Sequence, residues 1–417
     1  MKDKIWIALV AITGIVAVIS LGRILTKPKS GIDFYSLIWY PGHWVWRGAD
    51  PYGAALERRI PALPIYYWDG AVNTEFPMPV EPMPTNLAPL VLFLAPLARF
   101  SWPTAMNIWT IVNMGMAVLF VWSVMRFVGH RLLSREGLLI LLLFFSLIAT
   151  REVIETGQTT LFVLACMMLA LVVGSSSQSI GGILLGMALS KYSLTFPGAL
   201  YFLHKRWYRG FTVSIGVQLV GLLILAVITQ TPPPIILAEN LRMMLMHRQM
   251  PGLHLSATLL NGGGLATSIA GIALSAGLVI LLGFWYRSAY GRGQLADIVL
   301  LVIVMQWNLL ILPHRRYDHV AEIVFLALMT LWTGSDSGWR FGKRTTIGLQ
   351  LFAALAASVW IFPLYYLLGE HLYMNLFASC SLTALVVSIW LLFRTRSVYS
   401  SPTENPIPGE VASLAKR

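Results

Sequence analysis

Ten stretches of this chain are apolar over a length that approaches or matches the roughly 30 Å hydrocarbon core of a bilayer, and that repetition limits the fold more than any single motif does. They run Ile5 to Leu25, Thr104 to Phe127, Gly137 to Thr150, Gly157 to Gly174 and Phe211 to Thr229 in the first half of the chain. Leu265 to Tyr286, Ala296 to Leu312, His319 to Thr333, Thr346 to Leu368 and Leu372 to Phe393 complete the series. A backbone in hydrocarbon must satisfy its own hydrogen bonds, and a helix does so within one segment. With 57% hydrophobic and 12% charged residues and a mean hydropathy of +0.71, the composition lies outside the soluble globular range. The sequence therefore predicts an all-α polytopic membrane protein, a bundle of about 10–12 transmembrane helices with an outer-face loop carrying interfacial helices.

The net charge of +12 does not argue for nucleic acid in this setting, because basic residues of a membrane protein set topology and touch anionic lipid. Arg126 to Arg135, Lys205 to Arg209, Arg287 to Arg292, Arg340 to Arg344 and the tail from Arg394 are basic, which places them and both termini in the cytoplasm of a cell membrane. Arg23, Lys27 and Lys29 run against that orientation, but the reverse topology creates more such conflicts. Residues 1–397 read as one integral membrane domain, with a first outer loop at 31–86, a second long outer loop at 230–264, and a disordered cytoplasmic tail at 398–417. The N-terminal apolar run is too long for a signal peptide and is read as a retained span. Cys166 and Cys380 carry neither a metal-ligand spacing nor a disulfide signature.

Three segments do not fit simple crossings. Ile180 to Leu203 is too short for two full passes, and a single pass would put the basic run after His204 outside; two short or re-entrant helices with Ser190-Lys191-Tyr192 near the tip are expected. A charge there is tolerated only where it faces protein or a wet cavity, so Lys191 points towards a site. Leu87 to Ala98 is apolar but short and holds Pro89 and Pro96, which suits a dip into the outer interface. Phe34, Tyr35, Trp39, Tyr40, Trp44 and Trp46 suit a helix at headgroup level, and the closely spaced prolines from Pro77 to Pro84 suit a stiff extended segment.

The polar residues gather at helix ends. Six of the 18 carboxylates (Asp33, Asp50, Glu57, Asp69, Glu75 and Glu81) fall in the first outer loop against three basic residues. Asp33, close to the first span and beside aromatic rings, suits a partly desolvated general base, or else a helix N-cap. His314-Arg315-Arg316-Tyr317-Asp318-His319 offers donors and cations for a phosphate, or anchors for lipid headgroups. Arg151, Glu152, Glu155 and Gln158 share a helix boundary, where the two glutamates could hold metal or sugar hydroxyls, or simply satisfy Arg151 and the helix N-terminus. His247, Arg248, His254 and Asn261-Gly262-Gly263-Gly264 lie in the second long outer loop, where glycine permits closure over a substrate without being a nucleotide fingerprint.

The order of Asp33-Phe34-Tyr35, Gly48-Ala49-Asp50-Pro51-Tyr52 and Pro96-Leu97-Ala98 resembles glycosyltransferase family 87, as does Gly157-Gln158-Thr159-Thr160-Leu161 followed by Gly181-Gly182-Ile183-Leu184-Leu185-Gly186, Lys191 and Lys205-Arg206-Trp207. These are membrane transferases of the GT-C type that use polyprenyl-phosphate sugars, mannosyltransferases of glycolipid assembly among them. The likeness runs from Ile5 to Arg209, and beyond that only in hydropathy. It implies Asp33 as catalytic base, a polyprenyl-phosphate sugar donor, with mannose the sugar the family suggests first, and a lipid or glycan acceptor at the outer face, with inversion at the anomeric carbon. His319, with His314 as second choice, would assist; Arg315, Arg316, Lys191 and His314 would hold the donor phosphate; Tyr35, Asp50, Tyr52, Glu152, Glu155 and Gln158 would line the substrate. No metal or other cofactor is demanded, though Glu152 and Glu155 could hold a divalent ion. The chain departs from the family at Phe76-Pro77-Met78-Pro79 and at Leu312-Pro313-His314-Arg315-Arg316. A secondary transporter, or a flippase or ligase of lipid-linked glycans, is the alternative from another class.

Overall fold

The computed structural model describes residues 2–26, 31–59, 82–248, 280–290, 293–311, 316–333 and 370–399, with isolated positions at 277 and between 349 and 359. Among these the protein is helical and contains no strand. The helices are α1 Lys2–Thr26, α2 Ile32–Phe34, α3 Tyr40–Trp46, α4 Pro51–Leu56, α5 Ala88–Leu94, α6 Trp102–Phe127, α7 Arg135–Ser146 and α8 Ile148–Thr156. They continue as α9 Thr160–Gly174, α10 Gln178–Ala188, α11 Tyr192–His204, α12 Tyr208–Thr229, α13 Pro233–Arg248, α14 Gln294–Ile311, α15 Ile323–Thr333 and α16 Glu370–Tyr399. By length and composition Trp102–Phe127, Gln178–His204 and Tyr208–Thr229 can cross a bilayer, and α8 with α9 form a further pair bent by 116°.

The stretch counted as Gln178–His204 doubles back on itself. Thr195 Oγ1 donates to Ala188 O at 2.8 Å, seven residues earlier, whereas a straight helix would separate those levels by about 10 Å. Gly198 faces the Leu185 side chain, and Gly210 faces both Gln178 O and the Phe202 ring, so the two arms start and finish at one level. The turn is a 3-10 segment, Leu189–Lys191, as the sequence predicts for a tip at Ser190-Lys191-Tyr192. Pro197 lies inside α11 and cannot donate to Ser193 O; Asn308 Nδ2 of α14 donates to that carbonyl instead, at 2.8 Å.

Small residues let α10 rise alongside α12. A Cβ on Gly182 would stand 2.4 Å from Gly210 O, and one on Gly186 would stand 2.6 Å from Val217 Cβ. At the next step Gln218 Nε2 reaches Ser190 Oγ at 3.5 Å. Gln218 is the middle of the 22-residue α12, which sets the hairpin tip about 16 Å from either end of that helix. Pro89 of α5 packs on Gly221, so α5 dips below the end of α12 in keeping with the expected interfacial dip.

Two expectations are corrected. Gly137 to Thr150 is not one straight crossing, because α7 stops at Ser146 and α8 starts in a new direction after Leu147, whose backbone is extended. The aromatics after Asp33 do not lie flat at a headgroup surface: Phe34, Tyr35, Trp39 and Tyr40 are buried, and Trp102 packs its ring against those of Phe34, Tyr35 and Trp39. These rings meet tilted or edge to face, an arrangement favourable beyond the area it buries; Trp46 alone of the six is largely exposed. Leu265 to Tyr286 and Thr346 to Leu368 lie mostly outside the described residues, as does the tail from residue 400.

Opposite the tip, the end of α11 is tied to α14. His204 Nε2 and Lys205 Nζ each lie 2.6 Å from an oxygen of Asp297, and Arg206 stands 4.7 Å above the Tyr290 ring. Gly182→Val is expected to destabilise the protein by about 2 kcal/mol through overpacking against backbone, whereas Gly216→Ala, whose Cβ meets nothing within 4 Å, is expected to leave stability unchanged or raised. Thermal unfolding of both variants in one detergent separates them.

Candidate active site

Three elements meet at the hairpin tip. α8 ends at Gly157, whose φ of 73° suits glycine and whose missing side chain admits Phe34; a Cβ there would stand 2.5 Å from Phe34 Cβ. The turn that follows is pinned from α6, since Trp109 Nε1 donates to Gly157 O at 2.9 Å and Asn113 Nδ2 to Gln158 O at 3.2 Å. This delivers Gln158 and Thr160 to Lys191 on one side, while the 3-10 segment Arg316–Glu322 brings Asp318 from the other.

Lys191 Nζ lies 2.6 Å from Asp318 Oδ1, 2.7 Å from Thr160 Oγ1 and 3.4 Å from Gln158 Oε1. Thr160 Oγ1 in turn donates to Asp318 Oδ1 at 2.8 Å. An ammonium has three protons to place, and three oxygens stand around this one. Side-chain exposure is 15% for Lys191 and 5% for Asp318, so both charges are largely withdrawn from solvent. Such a pair is costly to desolvate, but removing one partner alone strands the other.

The same tip is joined to the first polar loop. Leu87 N–H donates to Ser190 O at 2.9 Å, Thr159 Oγ1 stands 3.5 Å from Asn86 Oδ1, and Tyr52 OH donates to Asn86 O at 2.6 Å. Asp50 caps α4 by accepting the Tyr52 N–H at 3.1 Å. The sequence proposal of Asp50 and Tyr52 as substrate groups thus meets two residues that now brace the loop. Tyr35 is buried among rings, and burial pushes its phenol up to about 12.

Asp33 is half-buried in the first turn of α2. Its reading as an N-cap is corrected: Gly31 occupies that position, in a left-handed conformation (φ 57°). Gly31 N–H donates to Glu155 O at 3.2 Å and Phe34 rests on Gly157, so both neighbours of the Ile32-Asp33 step are fastened to the end of α8 two residues from Gln158. A π-helical turn, Tyr35–Trp39, follows at once, a distortion found often at functional sites.

His319 is buried beside Asp318, with Nδ1 3.5 Å from Glu322 Oε1. Glu322 also accepts from Gln306 Nε2 and, at 3.0 Å, from Ser381 Oγ, so its carboxyl joins α14 and α16. His314 and Arg315 fall outside the described residues; Arg316 opens the 3-10 segment, and its side chain falls outside them too. Glu155 lies 3.3 Å from Arg151 Nε, the more ordinary of the two roles open to it. Glu152 stands one residue away from that pair, and among the described residues no three His, Cys, Asp or Glu side chains converge as metal ligands.

Sequence reasoning missed Asn86, Gln306, Glu322 and Ser381, took Thr160 only as part of the family-like run Gly157 to Leu161, and used Asp318 only as a neighbour of arginines and histidines. Glu322 carried a usable signal, being a carboxylate inside an apolar run.

The model of glycosyltransferase family 87 matches residues 88–313, more than half of the chain. The chain belongs to that family. As a family 87 member it is a membrane glycosyltransferase and requires a sugar donor and an acceptor. The matched segment holds Gln158, Thr160 and Lys191 but begins after Asp33 and Asp50, and it extends well past Arg209, where the resemblance in the sequence faded. No curated protein matched the chain.

For this family 87 protein, Lys191→Met and Asp318→Asn are each expected to cost about 3 kcal/mol, and the double variant less than their sum. A double-mutant cycle on detergent-solubilised protein measures the coupling.

Proposed function

We propose that this family 87 glycosyltransferase moves a sugar, mannose in the first instance, from a polyprenyl phosphate to a lipid or glycan hydroxyl at the outer face of the cell membrane, with Asp33 as base. One observation carries the reading. The segment bearing Asp33 is fastened at Gly31 and Phe34 to the end of α8, from which Gln158 and Thr160 reach Lys191, so the Asp33 segment and the cation cluster attach to the same short turn, which supports a shared site.

In this reaction Asp33 takes the proton of the acceptor hydroxyl as its oxygen bonds the anomeric carbon. The bond from that carbon to the phosphate oxygen breaks, and its electron pair leaves with the polyprenyl phosphate. Attack opposite the leaving group inverts the anomeric configuration. Charge develops on the phosphate, where a cation in a sheltered site has most effect.

Lys191 supplies that cation by exchanging Asp318 for phosphate, while Thr160 keeps hold of Asp318. Arg315, Arg316 and His314 enter from the segment that leads into Asp318, and His319 assists from beside it. Gln158, Glu152 and Glu155 frame the sugar and acceptor, and Tyr35, Asp50 and Tyr52 brace the loop around them. A donor whose tail stays in hydrocarbon suits a charged cluster that lies midway along α12, since no soluble substrate needs to be carried that deep. No step requires a metal.

Asp33→Asn is expected to lower turnover by about a thousandfold while donor binding stays within about twofold; turnover near the parent level would remove Asp33 from the mechanism. Lys191→Ala is expected to weaken donor binding by at least tenfold. Incubating the protein with a panel of polyprenyl-phosphate sugars identifies the donor, and solute uptake into vesicles without glycosylated product would favour the transporter alternative.

A further inference from the structure

α13, which follows α12 closely, spans two parts of the site. One face of it, Ile236, Asn240 and Met243, is buried, the spacing of a single helical stripe. It packs on α4 and reaches across to the hairpin tip, where Tyr192 OH lies 3.1 Å from Met244 Sδ. The helix therefore bridges the first polar loop and the residue next to Lys191.

At its α4 side two acids meet. The position of a Cβ on Gly53 would be 2.9 Å from Glu239 Oε2 and 3.1 Å from Oε1, so the carboxyl of Glu239 is seated in the space that glycine leaves. Asp50 begins the same turn and is 9% exposed. Its Oδ1 accepts from Tyr52 N–H, while Oδ2 is buried and has no hydrogen-bond donor among the described residues. Two carboxylates cannot share such a seat without a positive partner.

We propose that Asp50 and Glu239 hold one proton between them, and that this proton latches α13 onto α4 beside the hairpin tip.

The surrounding charges set the direction. The approach of the Asp50 side chain, then burial, then the charges of Asp50 and Glu57 raise the Glu239 carboxyl from its ordinary value to about 7, and Arg242 opposes them. Glu57 is itself paired with Arg59, and Tyr52 beside Asp50 is a buried phenol whose titration is pushed up by burial and by the Asp50 charge. A carboxyl raised in the closed form favours closure below its ordinary range, and that preference is lost as pH rises through about 7. Glu239 is only half-buried, so solvent screening limits the effect. The latch concerns access, and it stands whether or not Asp33 is the base.

Amide hydrogen exchange across α13 in the full-length protein tests this directly, with Glu239→Gln as reference because an amide donates to Asp50 without titrating. Wild-type amides from Ile236 to Met243 are expected to lose roughly tenfold protection relative to the Gln variant between about pH 6 and about pH 8, with no such change in α6. Equal pH dependence in the two proteins overturns the latch. So does restoration of wild-type protection at the higher pH by added magnesium or calcium, which would make the pair a cation site. Glu239→Ala is expected to leave α13 poorly protected at both pH values; full protection in that variant would show that the acids do not hold the helix.

Discussion

The ion pair between Lys191 and Asp318 fixes the rest of the structure, because a cation half-way along α12 has few places to go. An unpaired ammonium at that depth is costly in hydrocarbon, and a long crossing helix would present it to lipid on some face. Reversing the chain at Leu189–Lys191 instead turns the charge inward, where Asp318, Thr160 and Gln158 receive it. The reversal needs close contact between α10 and α12, hence Gly182 and Gly186; it needs a replacement donor for the carbonyl freed by Pro197, hence Asn308. Each of these residues is small or polar in an otherwise apolar helix, and each is explained by the tip.

The two ends of the hairpin are built differently. At its base, Asp297 closes on His204 and Lys205 with Tyr286, Tyr290 and Trp207 packed around, joining α11 to α14 through short bonds. At its tip the Lys191–Asp318 pair and Thr160 form a buried cluster on one side, while on the other the contacts pass through single hydrogen bonds and short loops: Ser190 to Leu87, Asn86 to Tyr52, Tyr52 to Asp50. Free energies of opening differ across a structure, and the side of the tip that meets the first polar loop is the side held by single bonds.

Much of this was legible in the residues. A lysine between two short apolar stretches predicted the hairpin because bilayer thickness and charge cost leave little choice, and Gly157-Gln158-Thr159-Thr160 was marked before its contact with Lys191 was visible. What was hidden depended on distant pairing. Asp318 read as one acid among histidines, since nothing local says that its partner lies 127 residues earlier. The aromatics after Asp33 satisfy both an interfacial and a buried reading by composition; only Trp102, from another helix, decides. Glu239 gave no signal at all, because its meaning arises from the absent side chain of Gly53.

A carboxylate pair on two loop-end helices also bears on why the loop residues Asp50 and Tyr52 are so thoroughly engaged. Asp50 accepts the N–H of Tyr52 with one oxygen at the start of the turn on which Glu239 is seated, while the Tyr52 hydroxyl holds the carbonyl of Asn86 next to the line of contacts that ends at Ser190. Any movement of α13 that withdraws Glu239 changes the charge beside Asp50 and hence the cap of α4. From there one chain of hydrogen bonds runs inward through Tyr52 to Asn86 and the backbone of the hairpin tip. Tyr52 thus ties the cap of α4 to the tip through its hydroxyl, and a substitution that keeps the ring but removes that hydroxyl breaks the chain without opening a cavity.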